Sequence, residues 1–397
     1  MIYLDFAATS PVHPEVWETM TPYALANFGN PASQHELGQS AKIALEQART
    51  TLLHLLESMQ ETHQLLFTSG GTEANNLALQ GVVRNWWKEH PEAKKPPHLV
   101  ISAIEHAAVF EVAQWLAAQH CIDLTVLYPH PENEGLITPE QVVEALTPET
   151  ILCSIMHANN ETGVLQPIEA MVKAVKAHLP SCLFHCDMVQ TIGKMPINLT
   201  QLPVDFATAS GHKFQAPKGC GFLVCSPAGF EALAPITYGG GQEFGLRPGT
   251  VSVANAVGLA SALTLKHKTL SENPLHLSRL TTWLIEQLQT TFGAMGEINT
   301  PLNPEHRLAG IVNVSFASHL GEKLVLKLDL RGICVSSGSA CHAGLAVEPS
   351  KVLLAMGKQK SIAESSIRVS MGASTTQAEL HTLMEALQAI IQVKDKS

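Results

Sequence analysis

The sequence predicts an α/β fold, with a large domain built on a mainly parallel sheet flanked by helices and a smaller α+β domain. Three observations predict it. Short apolar runs alternate with helical periodicity between Leu65 and Cys225. That alternation gives way, after Val251, to two long helical stretches over roughly 251–268 and 274–294. The chain has 397 residues, too many for one ordinary core. The expected division is 15–255 for the large domain, with 1–14 and 256–397 forming the small one.

In order along the chain, residues 5–11 are irregular, and the first ~15 residues need an anchor on the small domain to be ordered. A helix is expected over 14–27, with Pro14 in its first turn. A loop over 29–33 precedes helical periodicity over 36–57. The strand 65–67 leads to a helix from Thr72, and the strand 99–101 to a helix from Ala107. The strands 124–127 and 151–156 flank a helix starting near Thr138. A helix from Ile168 precedes the strand 183–185. The strands 204–209 and 222–225 bracket a Pro/Gly-rich turn carrying Lys213. Beyond 294 come a strand over 311–316, a helix over 321–330, a helix opening at Pro349, a strand over 366–369 and a last helix from Thr375.

Composition narrows the function classes. With 25 Lys+Arg against 35 Asp+Glu the net charge is −10, and there is no basic run. Direct nucleic-acid binding therefore has no electrostatic basis. No apolar run reaches the ~18 residues of a membrane-spanning helix. The N-terminus lacks a signal-peptide pattern, so a cytoplasmic protein with reduced thiols is expected. Cys182 and Cys186 share one face of a strand while His185 points to the other, so no metal site is expected.

The chemistry is concentrated at strand ends. Thr68-Ser69-Gly70-Gly71-Thr72-Glu73 follows a strand and opens a helix, the pattern of an anion cradle. Glu105-His106, Asn159-Asn160 and Asp187 with Gln190 end the next strands in turn. Ser210-Gly211-His212-Lys213 ends another, where a lysine amine can form a Schiff base with a carbonyl cofactor. Each segment alone reads equally well as a cap or a turn. Five on one sheet edge imply a single site, because parallel strands point their C-termini the same way. Cys341 lies in a small-residue stretch with little capacity to pack, which suits a nucleophile that must reach its target.

These segments resemble the NifS/IscS-like cysteine desulfurases of the class V aminotransferase group, which are fold-type I pyridoxal-phosphate enzymes. The matching stretches are 3–9, 28–33, 67–76, 105–106, 157–163, 185–190, 210–213, 239–250 and 336–341. The last, Ser-Ser-Gly-Ser-Ala-Cys, separates desulfurases from plain aminotransferases. Phe6 and Met188 depart from the usual residues.

The resemblance implies roles for individual residues. Lys213 would bond the aldehyde of pyridoxal 5'-phosphate. Asp187 would pair with the ring nitrogen, Gln190 with the ring hydroxyl, and His106 would stack on the ring. Gly71, Thr72, Ser210 and His212 would bind the phosphate. Thr250 would reach the phosphate of the partner subunit in a homodimer. Asn160 and Arg368 would hold the carboxylate of L-cysteine. Cys341, on a mobile loop of the small domain, would take the substrate sulfur as a persulfide and pass it to an acceptor protein, in iron–sulfur cluster assembly or tRNA thiolation. The alternatives on the same cofactor are selenocysteine lyase and another aminotransferase-type reaction.

Overall fold

The computed structural model describes residues 1–58, 63–337 and 348–391. β1 (Ile2–Tyr3) opens the chain, followed by α1 (Pro14–Leu25), α2 (Glu36–Leu55), β2 (Gln64–Thr68), α3 (Gly71–Glu89), β3 (His98–Ser102), α4 (Ala107–Ala118) and β4 (Asp123–Leu127). Next come α5 (Pro139–Glu144), β5 (Thr150–Ser154), α6 (Ile168–His178), β6 (Leu183–Asp187), β7 (Phe206–Ser210), β8 (Gly221–Cys225) and α7 (Pro227–Glu231). α8 (Val253–Lys268) and α9 (Asn273–Phe292) lead to β9 (Glu297–Ile298), β10 (Ile311–Ser315), α10 (Gly321–Asp329), β11 (Ile333–Cys334) and β12 (Ser336–Ser337). α11 (Lys351–Ala355), α12 (Lys360–Glu364), β13 (Ser366–Ser370) and α13 (Gln377–Ile391) complete the described chain.

The main sheet runs β2-β8-β7-β6-β5-β3-β4. All neighbouring pairs are parallel except those made by β8, which is antiparallel to both β2 and β7. Two antiparallel steps restore direction, so β2 points the same way as β7. The interior strands are apolar on both faces because helices cover both. Leu65, Val100, Phe184 and Phe222 pack with Val16, Leu52, Met171 and Leu259 on one side. Leu66, Leu99, Ile101 and Leu223 pack with Leu77, Val82, Val109 and Leu116 on the other.

A second core gathers around the antiparallel sheet β12-β13-β10-β9. Leu284 and Leu288 of α9, Leu324 of α10 and Leu383 and Leu387 of α13 cover it, and Leu4 is buried among them. Leu4 is drawn in by two ladders: β1 pairs with β11, and Asp5 bridges to Ser370. The sequence division at 255 assigns α8 to the small domain. However, Ala256, Leu259, Ala260 and Leu263 of α8 pack in the same core as α1 and α2. We propose that the division falls after α8.

The strand expected over 151–156 ends at Ser154. The Met156 amide leaves the ladder and donates to Glu105 Oε1 at 2.7 Å. The helix expected at Pro349 is α11, which Ser350 caps by accepting from the Leu353 amide.

Candidate active site

The C-terminal ends of β2, β3, β5, β6 and β7 open onto one cleft of about 290 Å³. Gly71 and Thr72 come from the first end, His106 from the second and Asn160 from the third. Asp187 and Gln190 come from the fourth, and Ser210, His212 and Lys213 from the fifth. The small domain adds Arg368 and Ser337, and the N-terminal segment adds Ala7 and Ala8. The sheet topology brings these residues together from positions far apart in sequence.

Lys213 sits on a short 3₁₀ turn, Gly211–Lys213, in the connection between the antiparallel strands β7 and β8. Its Nζ donates to Ala7 O at 2.6 Å and to Ala8 O at 2.8 Å. The N-terminal segment is strapped to the same turn. Ser10 Oγ donates to His212 O at 2.7 Å and accepts from the Gln215 amide at 2.9 Å. His212 Nδ1 lies 3.1 Å from Thr9 Oγ1. Burial, then the positive charges of Lys213, Lys218 and Lys194, push the His212 imidazole down to about 4.

Asp187 is 5% exposed, so its carboxylate requires partners. Oδ2 accepts from Asn75 Nδ2 at 2.7 Å, and Oδ1 from the Val189 amide at 2.9 Å. Gln190 is fixed at both ends of its amide. Nε2 donates to Ala7 O at 3.1 Å, and Oε1 accepts from Lys194 Nζ at 2.7 Å. His106 caps α4, its Nδ1 accepting from the Ala108 amide at 3.1 Å. Burial lowers its pKa, so the neutral ring carries its hydrogen on Nε2. Glu105, beside it, is buried and raised to about 8, mainly by desolvation.

α3 starts at the cleft with no side-chain cap on its N-terminal amides. A Cβ on Gly71 would lie 2.7 Å from Val189 Cγ2, so glycine permits the close approach of this helix start to β6. Uncapped amides beside the hydroxyls of Thr72 and Ser210 form a donor set suited to a phosphate. Pyridoxal 5'-phosphate fits the cleft on three counts: this donor set, an anchored Asp187 carboxylate and the Lys213 amine at the same opening.

Arg368, on β13, donates from Nη1 to Asn160 O at 2.8 Å and from Nη2 to Asp5 Oδ1 at 2.8 Å. Among the described residues its buried Nε has no hydrogen-bond partner. Asn160 thus touches the arginine through its backbone carbonyl. Thr250 is exposed and lies outside this chain's cleft, in a hollow of about 150 Å³ with Ser69 and Arg247. Cys341 and its loop fall outside the described residues. Asn75, Lys194, Asp5 and the carbonyls of Ala7 and Ala8 are site residues that sequence reasoning missed. Asn75 and Asp5 do lie inside the matching stretches; Lys194 carries no signal beyond being a lysine four residues after Gln190.

The aminotransferase class-V pattern matches residues 2–383. A protein named cysteine desulfurase IscS from Dictyoglomus turgidum is 36% identical, over 98% of this chain and 94% of its own length. A cysteine desulfurase IscS from Methanosarcina thermophila is 38% identical, over 98% of this chain and 92% of its own. The solved structure of a NifS-like protein superposes with a TM-score of 0.87 at 33% identity, covering 99% of this chain and all of that one. The pattern spans both cores and every strand end that forms the cleft, so the chain belongs to the class-V aminotransferase family.

Proposed function

We propose that the protein is a cysteine desulfurase that converts L-cysteine to L-alanine and carries the released sulfur on Cys341 to an acceptor protein. The family's cofactor is pyridoxal 5'-phosphate. The observation that carries the reading is the convergence of Lys213, Asp187 and Arg368, from three separate elements, on one cleft. An amine, a fixed carboxylate and a guanidinium are what an amino-acid substrate on a pyridine aldehyde requires.

When bound, the cofactor supplies an electron-accepting ring and a carbonyl carbon that amines attack. Asp187, held by Asn75 and the Val189 amide, would pair with the ring nitrogen and keep it protonated. Gln190, whose Nε2 already donates to Ala7 O, would turn its remaining Nε2 hydrogen to the ring hydroxyl, and His106 would stack on the ring. Gly71, Thr72, Ser210 and His212 would hold the phosphate, joined by Thr250 of the opposite chain if the enzyme is a homodimer. Arg368 and Asn160, which touch each other at the cleft, would hold the substrate carboxylate. Lys213 Nζ, at the mouth of the same cleft, would take the Cα proton. The Cys341 thiolate would attack the substrate sulfur, forming an S–S bond as the Cβ–S bond breaks and leaves its electron pair on the three-carbon fragment, whose protonation gives alanine. Among the described residues no helix is long and apolar enough to cross a membrane.

Incubation with L-cysteine, with alanine and sulfide quantified with and without reductant, tests the reading. Wild type is expected to release equal alanine and sulfide in reductant, and Cys341→Ala neither. Alanine release at the wild-type rate by Cys341→Ala would contradict it.

A further inference from the structure

A second cavity, of about 410 Å³, also borders Lys213, the one residue it shares with the reaction cleft. Its walls come from the N-terminal segment, the residues after β6, the end of α8, the start of α9 and the turn after β13. Lys194, Lys213 and Lys266 line it, and no aspartate or glutamate does. Phe6, Leu277 and Met371 form an apolar wall.

Ammonium groups gathered in a partly buried space cost free energy unless an opposite charge joins them. Among the described residues neither Lys194 nor Lys266 has a carboxylate partner. Lys194 donates to Gln190 Oε1 at 2.7 Å, and Lys266 donates to Gln215 Oε1. Both acceptors are neutral amides, and each ammonium carries three N–H donors. Burial lowers the pKa of both lysines, and no acidic neighbour acts in the opposite direction. A cavity with a cationic end and an apolar wall, in the size range of small-molecule sites, matches one ligand chemistry. We propose that it binds a small organic anion, with the acid group on Lys194 and Lys266 and the apolar body against Phe6, Leu277 and Met371. Because Lys194 also holds Gln190, such a ligand engages the ammonium that orients a residue of the reaction cleft.

Isothermal calorimetry of the holoenzyme with benzoate, and with benzamide as its uncharged counterpart, tests the proposal. Benzoate is expected to bind wild type and benzamide not to. Lys194→Met and Lys266→Met should each weaken benzoate by about tenfold or more, the loss of one charge-assisted hydrogen bond. Lys266 lies outside the reaction cleft, so Lys266→Met should keep its cofactor absorbance and its turnover of L-cysteine, which separates a lost anion site from a lost fold. Arg368→Lys should leave benzoate binding unchanged. No binding to wild type, wild-type affinity in both lysine-to-methionine variants, or loss of binding in Arg368→Lys alone would overturn it.

Discussion

Asn75 and the Val189 amide each donate to one oxygen of the nearly buried Asp187 carboxyl. Removing one donor leaves a buried carboxylate under-satisfied. Asn75→Ala should therefore cost about 1–3 kcal/mol of stability, read from the denaturant midpoint; an unchanged midpoint would show that water replaces the amide. If Asp187 pairs with the ring nitrogen as proposed, Asp187→Asn should lower kcat by about 10²- to 10³-fold, the usual loss for one preorganised electrostatic contact. Arg368 presents a planar fork, two of whose nitrogens are engaged by Asn160 O and Asp5. A lysine cannot reproduce that geometry. Arg368→Lys should reduce kcat/KM for L-cysteine by about 10- to 100-fold, mainly through KM, and an unaltered KM would remove Arg368 from the carboxylate site. At this scale the sequence singled out residues that the structure gathers at one cleft but not their supports. Lys213, Asp187 and Gln190 stand out as polar residues closing apolar strands. Asn75 is hidden because α3 turns it inward, and Asp5 because its partner is 363 residues away.

Among the elements, strand direction made the site legible. Each βα turn is ambiguous by itself, yet parallel pairing forces the turns to one edge, and the cleft is found there. The N-terminal segment was harder to read. Residues 5–10 have no periodicity, and only the fold shows that their carbonyls meet Lys213 and Gln190. The place of α8 also escaped periodicity, which shows that a helix has an apolar face but not which core receives it. The start of α3 gives a prediction that belongs to the element. Gly71→Ala sets a methyl 2.7 Å from Val189 Cγ2 and should cost about 1–3 kcal/mol. Weaker retention of pyridoxal 5'-phosphate on dialysis should accompany it, because the helix start is displaced; unchanged retention would mean that the phosphate sits elsewhere.

For the molecule as a whole, burial of ionisable groups sets a pH response. His157 and His185 are inside the large domain, and burial holds both down to about 4 from the usual 6.5. The unfolded chain binds more protons than the folded one between those values. The stabilisation is complete above pH 6.5 and is lost as pH falls toward 4, each histidine contributing up to about 1.4 kcal/mol per pH unit. Glu105 acts in the opposite sense. Its carboxyl is raised to about 8, so its contribution shrinks as pH rises from 4.5. The histidine effect is therefore read as a difference: urea midpoints of wild type and His157→Gln should converge as pH drops below 6.5, and parallel curves would refute it. The two cores, the two-sided sheet and the strand-end site all follow from periodicity and topology, whereas the cavity between the domains exists only in the assembled fold. The account as a whole predicts that this fold delivers sulfur to one thiol. Intact-protein mass spectrometry of the holoenzyme, taken seconds after L-cysteine is added without reductant, measures that directly. Wild type should gain the mass of one or more sulfur atoms, removable by reductant and localised to Cys341. A chain that forms alanine but gains no sulfur, or gains it equally in Cys341→Ala, would contradict the account.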